Sequence, residues 1–183
     1  MAQNSTVFTF NRKGTLSELQ LPTVMGILNI TPDSFYSGSR VTDEKETLQR
    51  CEQMLADGAS IIDIGAVSTR PGSEYPGEEE ELKRLMNVFP ALRKSFPDAL
   101  FSIDTWNSKI AEAMLKEGAD IINDISAGLK DQDMPEVILR HKCPYIIMHM
   151  KGDPKNMQSL TDYENLIREV NSFFVERLNY LRG

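Results

Sequence analysis

The residues able to do chemistry cluster at the ends of short apolar runs. Asn29 lies near the end of run 22–30, and Thr31, Asp33, Ser34 and Phe35 follow it. Asp63 lies in run 60–66, which leads into Ser68, Thr69, Arg70 and Pro71. Asp104 is in run 100–105, Asn123 and Asp124 are in run 120–126, and His149 is in run 144–150. Carboxylates and amides inside apolar strands are costly unless paired. In α/β folds the chemistry sits at the carboxyl ends of the strands. Polar groups at the same end of successive strands are what a small polar ligand requires. Plainer roles compete at each position. Asn29 could cap a turn, Arg70 could form a surface ion pair, and Asp104 could cap a helix ahead of Asn107. Asp63 could bond within the interior as easily as touch a ligand. His149 reads as a core histidine and His141 as a helix-end residue favoured by the dipole. The acidic run 78–81 reads as a solvated helix start. No serine–histidine or cysteine–histidine pairing points to a covalent nucleophile.

The elements that position these groups alternate along the chain. The five runs are mostly apolar and bounded by turn residues, as in strands of a buried parallel sheet. Between them lie helical patterns. Leu48, Cys51, Met54 and Leu55 mark one helix over 43–57, with a capping box at Asp43 and Glu46 and a terminating Gly58. Leu82, Leu85, Met86, Phe89 and Leu92 mark a second over 78–95, with a kink or break expected at Pro90. Asn107 caps a third, which carries Ile110, Ala113 and Met114 and stops at Gly118. A shorter helix carries Val137 and Ile138. The last begins near Thr161, has Glu164 three residues on, and runs through Ile167, Val170, Phe174 and Leu178. The stretch ADGASIID (56–63) is echoed by KEGADIIN (116–123), which supports a repeating β/α architecture. The segment 7–19 reads as a hairpin around Asn11, Arg12, Lys13 and Gly14. Strand starts recur at intervals of about 30 residues, whereas a closed eight-unit barrel takes about 250 residues. The options are an open doubly wound sheet or a barrel short of its full set of units.

Composition narrows the function classes. With 20 Lys+Arg against 27 Asp+Glu in 183 residues, the formal charge is −7, so no basic stripe suggests a nucleic-acid partner. A hydrophobic fraction of 40% fits a globular domain. No run approaches the roughly 20 apolar residues of a membrane helix. Cys51 and Cys143 are far apart and suit reduced thiols in the cytoplasm. The start MAQNSTVFTFNRKG has no apolar run behind a basic segment, so no secretory signal is expected.

Four motifs in order, NITPDSF, DIGAVSTRPG, SIDT and INDIS, resemble those of the dihydropteroate synthase family. The resemblance covers roughly residues 22–150. It implies a (β/α)8 TIM barrel, of which this chain carries the first five units. Residues 1–21 would be the hairpin segment and residues 22–183 a partial pterin-binding barrel. The implied reaction joins 6-hydroxymethyl-7,8-dihydropterin pyrophosphate to 4-aminobenzoate in folate biosynthesis, at the enzyme that sulfonamides target. By the same resemblance, Asn29 helps hold Mg2+, for which an amide oxygen is a suitable hard ligand. Thr31, Asp33, Ser34 and Phe35 fall in a first mobile loop, and Thr69, Arg70 and Pro71 in a second. Together these loops build the aminobenzoate and pyrophosphate side of the site. Asp104 and Asn123 contact the pterin, and Asp104 and Arg70 are the residues expected to act in catalysis. Arg70 offers a planar donor fork for an anionic oxygen pair. A fixed carboxylate at Asp104 would stabilise positive charge developing on the pterin.

The sequence also departs from the family pattern. Gly65, Ala66 and Val67 stand where many members carry a second glycine and a glutamate. The family's later strands bring another aspartate, a lysine, an arginine and a histidine that this chain does not contain. The isolated 183 residues are therefore expected to be poorly stable and inactive without a completing partner. Full-length members pair as homodimers through a helix surface expected to be missing here. Two alternatives are a methyltransferase-type pterin barrel and a non-catalytic pterin-binding fragment. The run Thr69, Arg70, Pro71, Gly72 argues against the first.

Overall fold

The five apolar runs form one parallel sheet. The computed structural model describes residues 7–12, 14–30, 40–67, 75–153 and 156–182. A hairpin of β1 (Val7–Arg12) and β2 (Thr15–Gln20) comes first. Then β3 (Met25–Asn29), β4 (Ile61–Gly65), β5 (Leu100–Asp104), β6 (Ile121–Asp124) and β7 (Tyr145–Ile147) line up in chain order, all parallel. The intervening helices are α1 (Arg40–Ala56), α2 (Glu78–Ser95), α3 (Ser108–Glu117) and α4 (Met134–His141). After β7 come a 3-10 turn (Met157–Ser159) and α5 (Leu166–Arg182). No described helix is long and apolar enough to cross a membrane.

Strand order without a reversal excludes the doubly wound alternative. Right-handed crossovers that always step in one direction leave their helices on one face of the sheet. Accordingly α1 packs on α2, α2 on α3, and α3 on α4. The register separates the two faces. Leu28, Ile64, Ile103, Ile122 and Tyr145 are neighbours across the sheet and point into the helix layer. There they meet Cys51, Leu85, Phe89, Leu92, Ile110, Met114 and Val137. Shifted by one residue, Asn29, Gly65, Asp104, Asn123 and Ile146 form the next row, on the opposite face. The apolar row fixes the register, because a slip by one residue would bury the polar row against the helices.

The repeated stretch has the same backbone geometry in both copies. Gly58 and Gly118 adopt left-handed φ values of 103° and 110°. In the first copy, the amides of Gly58 and Ala59 bond to Leu55 and Met54; in the second, those of Gly118 and Ala119 bond to Leu115 and Met114. These are Schellman ends. In each copy the amide of the next residue, Ser60 or Asp120, donates to a backbone carbonyl, that of Val24 just before β3 or that of Phe101 in β5.

Four boundaries differ from the sequence expectation. Helix α1 begins at Arg40, so Asp43 lies inside it rather than capping it. Arg40, Val41 and Thr42 include no helix-breaking glycine or proline, so the helix extends upstream of the capping signal. Helix α2 runs unbroken through Pro90. Pro90 and Met86 are both exposed, so the carbonyl that loses its partner can be solvated. Helix α5 starts at Leu166 rather than near Thr161, because Asn165 provides the cap. Asn165 Oδ1 accepts from the Arg168 amide at 3.0 Å, and Glu169 accepts from the Asn165 amide at 3.2 Å. Strand β7 is only three residues long.

The hairpin docks at the amino ends of the strands. Arg12 donates to Asp120 Oδ1 at 2.8 Å, and Arg93 of α2 reaches Asp120 Oδ2 at 3.0 Å. Asp120 Oδ2 also accepts from the Phe101 amide.

Candidate functional site

Three strands end together, at Asn29, Gly65 and Asp104. Asn29 and Asp104 flank Gly65 in the register. A Cβ on Gly65 would stand 3.0 Å from Asn29 Oδ1 and 3.5 Å from Asp104 Oδ2. The missing side chain therefore lets an amide oxygen and a carboxylate converge above β4.

Asp104 is the electrostatic centre. Burial lifts its carboxyl to about 7, and the nearby Asp63, Glu81 and Asp124 carboxylates add to the rise. No described residue hydrogen-bonds this carboxylate. Asn107, not Asp104, caps α3, accepting from the amides of Lys109 and Ile110 at 2.9 and 3.2 Å.

Asn123 lies beside Asp104 on β6. Its Nδ2 donates to Asp63 Oδ2 at 3.0 Å. Asp63 is buried, and burial pushes its carboxyl up while Ser102 and Asn123 moderate the rise. Ser102 is the register partner of Asp63 on β5. Asp63 thus orients Asn123 and leaves the amide oxygen as acceptor. The row can take a flat ligand edge carrying both N–H donors and an acceptor, with charge-assisted bonds at Asp104.

Glu81 corrects the reading of its acidic run as a solvated helix start. It is only 2% exposed and accepts from Thr105 Oγ1 at 2.8 Å. Burial pushes its carboxyl up, and the Thr105 and Tyr75 hydroxyls oppose the rise. Glu78 is at the surface and accepts from Asn107 Nδ2 at 3.1 Å. The signal for Glu81 was in its spacing, since residues 81, 85, 88, 89 and 92 share the buried stripe of α2. Gly65 was legible only as a glycine inside a strand, which often marks close approach.

Thr31, Asp33, Ser34, Phe35, Thr69, Arg70 and Pro71 lie outside the described residues. His149 packs on Phe173 at 5.0 Å between centroids, with Tyr163 and Phe174 nearby, in keeping with a packing role. His141 ends α4 and its Nε2 lies 2.9 Å from Glu112. A cleft of about 1150 Å³ lies between the segment after β7 and α5, and none of the polar-row residues lines it. Its Lys151 is already engaged by Glu169, the Asp162 carbonyl and the Tyr163 ring. The described residues hold no cluster of three metal-binding His, Cys, Asp or Glu side chains.

Comparisons with known proteins identify the family. The profile of the family described as "Pterin binding enzyme" matches residues 25–183. A dihydropteroate synthase from Synechocystis sp. is 43% identical over 159 residues, covering 87% of this chain and 55% of the relative. The Yersinia pestis dihydropteroate synthase, solved with a sulfonamide drug complex, superposes with a TM-score of 0.81 at 37% identity, over 95% of this chain and 62% of that one. The Xanthomonas albilineans dihydropteroate synthase, solved with 4-aminobenzoic acid, gives a TM-score of 0.84 at 31% identity, over 97% and 62%. The chain thus spans between half and two thirds of the length of these proteins.

Proposed function

The chain belongs to the pterin binding enzyme family, and from that premise we propose that it forms the pterin-holding part of a dihydropteroate synthase. The whole protein condenses 6-hydroxymethyl-7,8-dihydropterin pyrophosphate with 4-aminobenzoate as a step of folate biosynthesis in the cytoplasm. The singly wound five-stranded sheet is the start of an eight-stranded barrel, and the full-length protein is a homodimer.

One observation carries this reading. A half-buried carboxylate without a described partner stands beside an oriented amide, at the carboxyl ends of adjacent strands. Asp104 accepts from the amino and ring N–H groups of the pterin, and Asn123 binds the neighbouring edge. In the reaction, the aminobenzoate nitrogen bonds to the pterin methylene carbon. The carbon–oxygen bond breaks, pyrophosphate leaves with the electron pair, and the amine gives up a proton. Positive charge builds on the pterin as that bond breaks, and the fixed Asp104 carboxylate stabilises it. Arg70, with Thr69 and Pro71, and the loop of Thr31, Asp33, Ser34 and Phe35 close over the aminobenzoate and pyrophosphate. The Asn29 amide oxygen, held near Asp104 by the gap at Gly65, suits Mg2+. That ion takes few protein oxygens and completes its shell with water and phosphate. When bound, it neutralises charge on the leaving pyrophosphate.

The test is calorimetric titration of the 183-residue chain with 6-hydroxymethylpterin. Binding that Asp104→Asn weakens by roughly a hundredfold supports the reading. If the wild-type chain unfolds cooperatively on heating, and is thus folded, yet takes up no pterin, the reading fails. Preference for methyl-tetrahydrofolate would replace it with the methyltransferase alternative.

A further inference from the structure

Glu81 is an expensive residue for its place. It is buried in the first turn of α2, where the hydroxyl of Thr105 donates to it at 2.8 Å and the Tyr75 hydroxyl also acts on it. Burying a carboxylate without a matching cation is unfavourable, and an apolar side chain on this stripe would pack at less cost. Its bond goes to the residue that follows Asp104. Successive side chains alternate between sheet faces, so Thr105 points toward the helix layer while Asp104 points to the open face. Thr105 is fixed on every side. Its amide donates to the Asn123 carbonyl at 3.0 Å, and its hydroxyl donates to Glu81. The same hydroxyl oxygen accepts from the Asn107 amide at 3.2 Å.

We propose that Glu81 is a positioning residue: it grips Thr105 from the helix side and so sets where Asp104 presents its carboxylate on the open side. This inference rests on the reading of Asp104 as the pterin acceptor. Glu81 reaches the ligand only through Thr105. Its charge acts as well, because the charged groups facing Asp104 among the described residues are Asp63 from β4, Glu81 from α2 and Asp124 from β6. All three oppose ionisation of Asp104, so pterin uptake strengthens as pH rises through the Asp104 transition.

The experiment is titration of the chain with 6-hydroxymethylpterin from pH 6 to 9. Wild type is compared with Asp104→Asn, Glu81→Ala, Glu81→Gln and Thr105→Val, with thermal unfolding recorded for each. Glu81→Ala and Thr105→Val weaken binding by roughly tenfold or more, the size of one charge-assisted hydrogen bond. Glu81→Gln keeps the acceptor and the volume, so affinity at high pH stays near wild type. Its binding midpoint moves to lower pH by roughly half a unit, because one neighbouring charge is gone. A purely structural defect lowers affinity equally at every pH and leaves the midpoint in place. If Glu81→Ala does not fold, Glu81→Gln decides. The inference is overturned if Glu81→Ala binds like wild type while Asp104→Asn does not, or if Glu81→Gln leaves the midpoint unmoved. If wild type binds no pterin, the functional reading falls and this inference falls with it.

Discussion

Asp120 and Asp104 are aspartates at opposite ends of one sheet, the first buried and the second half-buried, with opposite surroundings. Asp120, at the amino ends of the strands, is fully enclosed and meets Arg12, Arg93 and the Phe101 amide. Asp104, at the carboxyl ends, meets no described donor and faces three carboxylates. The first carboxylate has its partners within the fold and ties the hairpin, α2 and the sheet together. The second is left for a ligand to complete. Singly wound α/β architectures separate the tasks in this way, with stability at one end of the strands and chemistry at the other.

The contrast can be broken at either end. The largest effect expected is at Asp120. Asp120→Ala removes the carboxylate that two guanidinium groups share and lowers stability by about 3 kcal/mol, read by urea denaturation. Pterin affinity of the remaining folded fraction stays unchanged. Asp104→Asn does the reverse, with pterin affinity falling by roughly a hundredfold as a charge-assisted pair is lost.

The effect of Asp104 on stability follows from its shift. Its carboxyl is raised to about 7 in the folded protein, so the folded chain holds a proton that the unfolded chain releases. The stability penalty is absent below the ordinary carboxylate range, grows as pH rises toward 7, and levels off above it. At pH 8, Asp104→Asn is therefore more stable than wild type by up to about 4 kcal/mol. Below pH 4 the difference disappears. Chemical denaturation at the two pH values checks this.

Smaller changes sharpen the comparison. In Gly65→Ala, the new methyl would stand 3.0 Å from Asn29 Oδ1, so the amide must move by a few tenths of an ångström. Mg2+-dependent pyrophosphate binding should weaken by about tenfold, with little change in melting temperature. The mildest change is Asp63→Asn, which loosens the hold on Asn123 and removes one repelling charge from Asp104. Pterin affinity falls by about threefold to fivefold, and the pH midpoint of binding moves down. An unchanged midpoint would show that Asp63 does not act on Asp104.

Much of the fold was legible because local chemistry and global packing agree. The apolar runs became the strands, Asn107 became the cap of α3, and Gly58 and Gly118 became matching helix ends. The misjudged boundaries were those where two local signals competed. Asp43 and Thr161 both carry capping chemistry, but the helices begin at Arg40 and Leu166. Asp104 and Asn123 were legible as candidate ligand residues because polar groups at strand ends are costly without a use. Asp63 was ambiguous, and only its bond to Asn123 assigns it an orienting role.

The amino-acid order alone determined the alternation of strand and helix, the residues that end each element, and the row of polar groups at the strand ends. Those features depend on neighbours a few positions away, through side-chain periodicity, capping and backbone freedom. Only the tertiary structure decided which polar groups found partners. Asp104 and Asp120 are the same residue type near the ends of similar apolar runs. Their difference comes from what α2, the hairpin and the adjacent strands bring against them: two arginines in one case, three carboxylates in the other. Partnering and desolvation depend on distances between segments far apart in the chain, and those distances are set only when the sheet closes on its helices.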